Sequence, residues 1–316
     1  MHYYYPYFRG KQYELITIRE NAKLLAESGF VPIIEPVKEN TRSLDLAIKE
    51  MIRAGGECIL IVNPKYGDHC PDSKAINKLI EKDFANFDKL SVGVLLNSSM
   101  SIQLIEDLCK KQSKRNVTLI HYGFENGRNL TEILPNHNNV KRHIFVEDFC
   151  GRLYRKHFDG KQRILLKDGF QRRINREYPD SEPFSDLHAT FGDENMNGFG
   201  DFLIVGDDYS ESGGPAYTVA IHLTYIDENK DEAMCIHHFK SDQTATQTNP
   251  AGKFTEALTK LVDEVQKDNS PILKSEAVKE FLSLHNSEHF PGLGYVKKLS
   301  MQHHIETLAD YFKRKS

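Results

Sequence analysis

Charged and amide residues recur at one kind of position in this chain: just past a short apolar run. Residues 3–7 lead to Arg9 and Lys11, residues 31–34 to Glu35, residues 59–62 to Asn63, and residues 92–96 to Asn97. Residues 117–120 lead to His121, residues 143–146 to Glu147, residues 164–166 to Lys167, and residues 202–205 to Gly206 and Asp207. If these ends meet at one rim, Glu35, His121, Glu147 and Lys167 form a candidate catalytic set. Carboxylates and imidazole would move protons there, and cations would stabilise charge growing on phosphate oxygens. Arg9, Lys11, Asn63, Asn97, Asp201 and His222 are candidate ligand-binding residues. Arg and Lys after the first run suit an anion, bidentate and point-charge respectively. A paired Arg9–Glu35 would account for both residues without catalysis.

Positioning such residues takes strands buried on both faces, and most of the runs are continuous rather than alternating. Helical spacing fills the gaps over residues 14–28, 44–54, 72–87, 101–111 and 129–134. Eight strand–helix units predict a TIM-like (β/α)8 barrel, with its chemistry at the C-terminal strand ends. The whole of residues 1–316 is read as one such domain. Regularity fails after Glu147. Residues 168–200 read as a loop over the barrel mouth, residues 213–241 as an added β-hairpin, and residues 253–316 as C-terminal helices.

Composition excludes several classes. The chain has 316 residues and a formal charge of −4, so there is no global pull toward nucleic acid or membrane. No run reaches the roughly 18 apolar residues of a membrane helix, and the N-terminus has no secretory pattern. The five cysteines are scattered without CxxC spacing. That fits a cytoplasmic protein and argues against a thiolate zinc site. Walker A, G-x-S-x-G and Rossmann patterns are absent from the sequence.

Charge is uneven along the second half. Residues 151–176 hold nine basic residues against two acids, among them Arg172, Arg173 and Arg176. Residues 177–229 hold twelve acids and no Lys or Arg. The two blocks either neutralise each other or leave a basic patch for phosphate or nucleic acid, with Arg172, Arg173 and Arg176 as the nucleic-acid candidates. Asp207, Asp208 and His238 are candidate ligands of a divalent metal, and the sequence names no other cofactor. Antiparallel pairing of the hairpin would bring His222 near His238.

The segments YYPYFRGKQYEL, VPIIEPVK, DGFQRRINREYPD, FSDLHATFG, GFGDFLIVGDDYSESGGPAYTVAIHLTY, IHHFKSD and PAGKFTEAL lie between Tyr3 and Leu258. Together they resemble the bacterial "beta protein" family, named for a satellite-phage protein and found in mobile elements and defence islands. The resemblance implies a TIM-barrel-like binding or regulatory component of an anti-phage system, associated with phage exclusion and with a protein partner encoded nearby. It supplies no catalytic residues. The alternative expectation is a phosphoester- or nucleotide-directed hydrolase or phosphodiesterase at the barrel mouth, acting on a phosphorylated small molecule or nucleic acid.

Overall fold

The computed structural model describes residues 3–70, 72–211 and 217–315. Residues 213–216, the start of the expected hairpin, lie outside them. Strands β1 (Tyr7–Phe8), β2 (Ile33–Ile34), β3 (Cys58–Ile61), β4 (Leu90–Leu96), β5 (Val117–His121), β6 (Val140–Val146) and β7 (Arg163–Leu166) pair in chain order. β8 (Ser181–Ser185) leaves this sheet, and β9 (Gly198–Gly200) returns to pair with β7. Every pairing in the ring is parallel. β9 also runs along the segment entering β1. The Tyr5 amide donates to the Phe199 carbonyl (2.9 Å), the Phe199 amide to the Tyr3 carbonyl (2.7 Å), and the Tyr7 amide to the Asp201 carbonyl (2.9 Å). These bonds close the eight-stranded barrel.

The eighth barrel strand is therefore Gly198–Gly200, not residues 202–205. Apolar content pointed to the wrong segment because the true strand is held by its backbone. A Cβ on Gly200 would lie 2.2 Å from the Tyr5 carbonyl oxygen and 2.6 Å from Leu166 Cδ1. Only glycine lets the seam come this close.

Helices α1 (Gln12–Glu20), α2 (Ala22–Glu27), α3 (Arg42–Arg53), α4 (Lys74–Asp83), α5 (Ile102–Lys111), α6 (Gly127–Ile133) and α7 (Arg152–Arg155) lie between the barrel strands. Apolar stripes turn inward, as Leu44, Ala47, Ile48 and Met51 do in α3. Ser101 caps α5 by accepting from the Leu104 amide (3.2 Å). The barrel interior holds Tyr5, Ile33, Ile61, Leu95, Ile144 and Leu166, all essentially buried. At the N-terminal strand ends, Arg142 pairs with Glu57 (2.5 Å), and Ser91 Oγ donates to the same carboxylate (3.0 Å). This polar layer closes that end of the barrel.

The chain divides into two compact units, one running to Asp168 and including Thr190–Phe202, the other comprising Gly169–Ala189 and the residues from Leu203 onward. In the second unit β10 (Ala220–Asp227) and β11 (Ala233–Lys240) form the expected antiparallel pair. β8 joins them as an edge strand beside β11. The segment expected as a loop thus contributes strand and, at α8 (Leu187–Thr190), a short helix. Pro183 hid it, since proline has no amide for a ladder and suits only an edge. Helices α9 (Pro250–Val265), α10 (Glu276–Asn286) and α11 (Leu293–Lys315) complete the unit. Their core with the sheet includes Leu223, Phe239, Phe254, Leu261, Phe281 and Leu299. No helix among the described residues is long and apolar enough to cross a membrane.

Gly200→Ala should separate the closing seam. We expect a loss of about 3 kcal/mol in urea unfolding, as for severe overpacking; an unchanged midpoint would show that the seam yields without strain.

Candidate functional site

Strand pleat decides which strand-end side chains enter the barrel mouth. Tyr7 and Ile33 point inward, so Arg9 and Glu35, two residues on, do the same. Both are buried, at 4% and 0% exposure. Arg9 Nη1 donates to Glu35 Oε2 at 2.5 Å, Tyr7 Oη donates to the same oxygen at 2.8 Å, and the Lys65 amide donates to Oε1 at 2.7 Å. The Arg9 guanidinium also sits 4.9 Å from the Tyr66 ring centre and 5.2 Å from that of Tyr7. Gly10 makes the turn possible. Its φ is +63°, and a Cβ there would lie 2.8 Å from the Glu35 carbonyl oxygen. Removing either member of this buried pair would strand the other's charge, at a cost of about 3–5 kcal/mol.

Around this pair lies a second, more open layer. The Lys65 ammonium is 3.9 Å from the Tyr122 ring centre. Phe149, 46% exposed, stacks on Tyr122 at 4.2 Å. Lys167 and Glu147 form a loose pair at 3.9 Å, each about one-third exposed. Lys11 is half-buried and starts α1. Lys65, Tyr66, Tyr122 and Phe149 were not singled out in the sequence. The aromatic residues sit beyond the apolar runs, and nothing local marks them as neighbours.

Other expected site residues serve the scaffold. Asn63 bridges β3 and β4: its Nδ2 donates to the Leu95 carbonyl (2.8 Å) and its Oδ1 accepts the Leu95 amide (2.9 Å). Asn97 Oδ1 accepts from the Ser99 amide (3.0 Å) and hydroxyl (2.6 Å), a local turn. Asp201 is buried and accepts a bond from Tyr4 Oη (2.7 Å).

His121 is not in the mouth. Its neighbours Ile120 and Tyr122 point into the barrel, so the pleat turns His121 outward. There its Nδ1 lies 2.7 Å from Tyr154 Oη and its Nε2 lies 3.0 Å from His143 Nδ1. It packs against Phe145 and Phe158. Burial drives both imidazoles toward the neutral form, His121 well below its ordinary range and His143 to about 3.

The charge blocks neutralise each other in part, and Arg163 pairs within its own block. Arg152 and Arg155 both pair with Glu194 (2.5 and 3.0 Å), Arg163 with Asp159, and Arg173 with Glu182. Arg172 and Arg176 are exposed, and Arg172 donates to the Asp208 carbonyl at 3.4 Å. The nine cations are also divided between the two units, the first six in the barrel and the last three in the second. Asp207 and Asp208 lie in the second unit. Among the described residues, no group of three His, Cys, Asp or Glu is placed to hold a metal ion. In the second unit His222 stands directly across the ladder from His238, as the sequence expected.

No family model and no curated protein matches the chain. Among solved structures, a sialic acid aldolase of Ruminococcus gnavus is similar, with 10% identity, a TM-score of 0.40, and 63% of this chain and 67% of that one covered. The barrel assignment stands on the strand order and the closing seam.

Because His121 and His143 are held neutral in the fold, the unfolded chain binds more protons below about pH 6.5. Stability should be full above that value and fall as the pH drops toward about 3, where His143 protonates in the folded chain. Between pH 7 and 5 each such histidine accounts for about 2 kcal/mol. His143→Gln, which keeps a polar partner for His121, should flatten the fall by that amount in urea titrations; an unchanged slope would mean that His143 does not titrate there.

Proposed function

We propose that the barrel mouth binds an anionic small molecule carrying an aromatic ring, of the phosphorylated, nucleotide-like class. The observation that carries this reading is the pairing of cations with stacked rings at the C-terminal strand ends. Lys65 lies over Tyr122, Phe149 presents an exposed face on the same stack, and Lys167 lies at a neighbouring strand end. A ring stacked on Phe149 would bring its anionic group toward Lys65.

The geometry favours binding over hydrolysis. Glu35 has both oxygens occupied, and His121 faces away from the mouth. Neither is poised to take a substrate proton. A binding or regulatory barrel also agrees with the resemblance to the beta protein family. On that basis we place the chain in an anti-phage or mobile-element defence system, acting with a protein partner encoded nearby. The enzyme reading rests on one feature, the Glu147 carboxylate held loosely by Lys167. It would serve as acid or base if a phosphoester lay beside it.

Calorimetry with adenosine monophosphate, adenosine and inorganic phosphate tests the ligand. The monophosphate should bind more tightly than either part alone. Phe149→Ala should weaken it about tenfold, the lower range for a stacked base, and Lys65→Ala should do so in a salt-dependent way. Binding equal in wild type and a Phe149→Ala, Lys65→Ala double variant would overturn the site. Affinity capture with the neighbouring gene's product tests the partner: a complex surviving gel filtration is expected, and a monomeric elution would remove the defence reading's main support.

A further inference from the structure

The second unit holds a partly buried chain of three polar side chains. The β10–β11 register puts His222 opposite His238, and the β11–β8 register puts Glu182 opposite Ile236, on the same face. His238 Nε2 lies 3.1 Å from Glu182 Oε1, and His238 Nδ1 lies 2.7 Å from His222 Nδ1. Arg173 pairs with the same carboxylate.

These contacts determine where the protons sit. An ionised carboxylate only accepts, so His238 carries its hydrogen on Nε2. Burial holds both rings neutral, with His238 lowered to about 4 and His222 to about 3. Neutral His238 then has a bare Nδ1, which accepts the Nδ1 hydrogen of His222. Neutral His222 is left with a bare Nε2. That atom has no hydrogen-bond partner among the described residues, and the His222 side chain is only partly buried. The ring is fixed edge-on to Phe170 and Tyr178, with centres 5.2 and 5.0 Å away. Tyr178 also stacks on His238 at 4.5 Å, and its hydroxyl accepts the Arg173 amide at 3.0 Å. The Lys297 ammonium acts on His222 through space.

We propose that His222 is the nucleophile of an acyl-transfer site for carboxylic esters with a small acyl group, with His238 and Glu182 as its positioning residues. A neutral nitrogen lone pair suits a carbonyl carbon. Nε2 forms a bond to the carbonyl carbon, the ester C–O bond breaks, and the alkoxide leaves. The acylated ring gives its Nδ1 proton to His238 Nδ1, where it stays beside Glu182, and the alkoxide takes a proton from water, leaving hydroxide. Hydroxide then adds to the acyl carbon and the C–N bond breaks. The carboxylic acid departs, and His238 returns its proton to His222 Nδ1.

The full chain treated with p-nitrophenyl acetate tests this. We expect an acetyl group on the peptide containing His222 and p-nitrophenolate release at least tenfold faster than in a folded His222→Gln variant. His238→Phe should slow release without loss of fold, and His238→Gln, whose amide oxygen can accept the Nδ1 hydrogen, should restore part of the rate. Nitrogen-15 spectra should show His222 protonated on Nδ1 alone in the wild type and as a tautomer mixture in His238→Phe. Three results would each overturn the proposal: acetylation elsewhere only, release equal in wild type and His222→Gln, or a proton on His222 Nε2.

Discussion

The hydrogen-bonded seam between β9 and the segment entering β1 closes the barrel, and closure gives every strand an inside and an outside. From there the pleat assigns each side chain. Arg9 and Glu35 enter the mouth because they follow inward-facing Tyr7 and Ile33 by two residues. His121 leaves it because it lies between inward-facing Ile120 and Tyr122. The seam in turn depends on Gly200, whose missing side chain lets the Tyr5 backbone approach. One residue without a Cβ thus supports the geometry of the mouth.

Buried charge in the barrel unit is handled by saturation. Glu35 receives three hydrogen bonds from three donors, including a backbone amide. Glu57 receives Arg142 and Ser91 at the other end of the barrel. A carboxylate so fully engaged is a structural anchor, because taking a substrate proton would cost it existing partners. The reactive potential lies instead in groups whose bonding is incomplete or loose: Lys65 on its aromatic stack, the Glu147–Lys167 pair, and the outer nitrogen of His222.

The histidines divide by the same logic. His121 and His143 bond to each other within a buried aromatic layer. His222 and His238 also bond to each other, but one end of that pair is anchored to Glu182 and the other end is open. Burial makes all four neutral. What separates them is exposure: His121, His143 and His238 are buried, whereas His222 is only partly so.

Much was legible in the chain before any coordinates. Continuous apolar runs at regular intervals marked seven of the eight barrel strands, since a strand buried on both faces must be apolar throughout. The β10–β11 pairing, and with it the His222–His238 contact, followed from two β-rich runs on either side of a polar turn. Three things were not. β8 and β9 carry Pro183 and Gly198–Gly200, so composition spoke against strands that tertiary hydrogen bonds nevertheless hold. The aromatic platform of Tyr122 and Phe149 joins residues from separate βα connections. The inward or outward fate of a strand-end residue depends on a one-residue parity that apolar runs on both faces do not reveal. Residue types and strand rhythm were thus determined locally, whereas facing and adjacency were decided only when the sheet closed on itself.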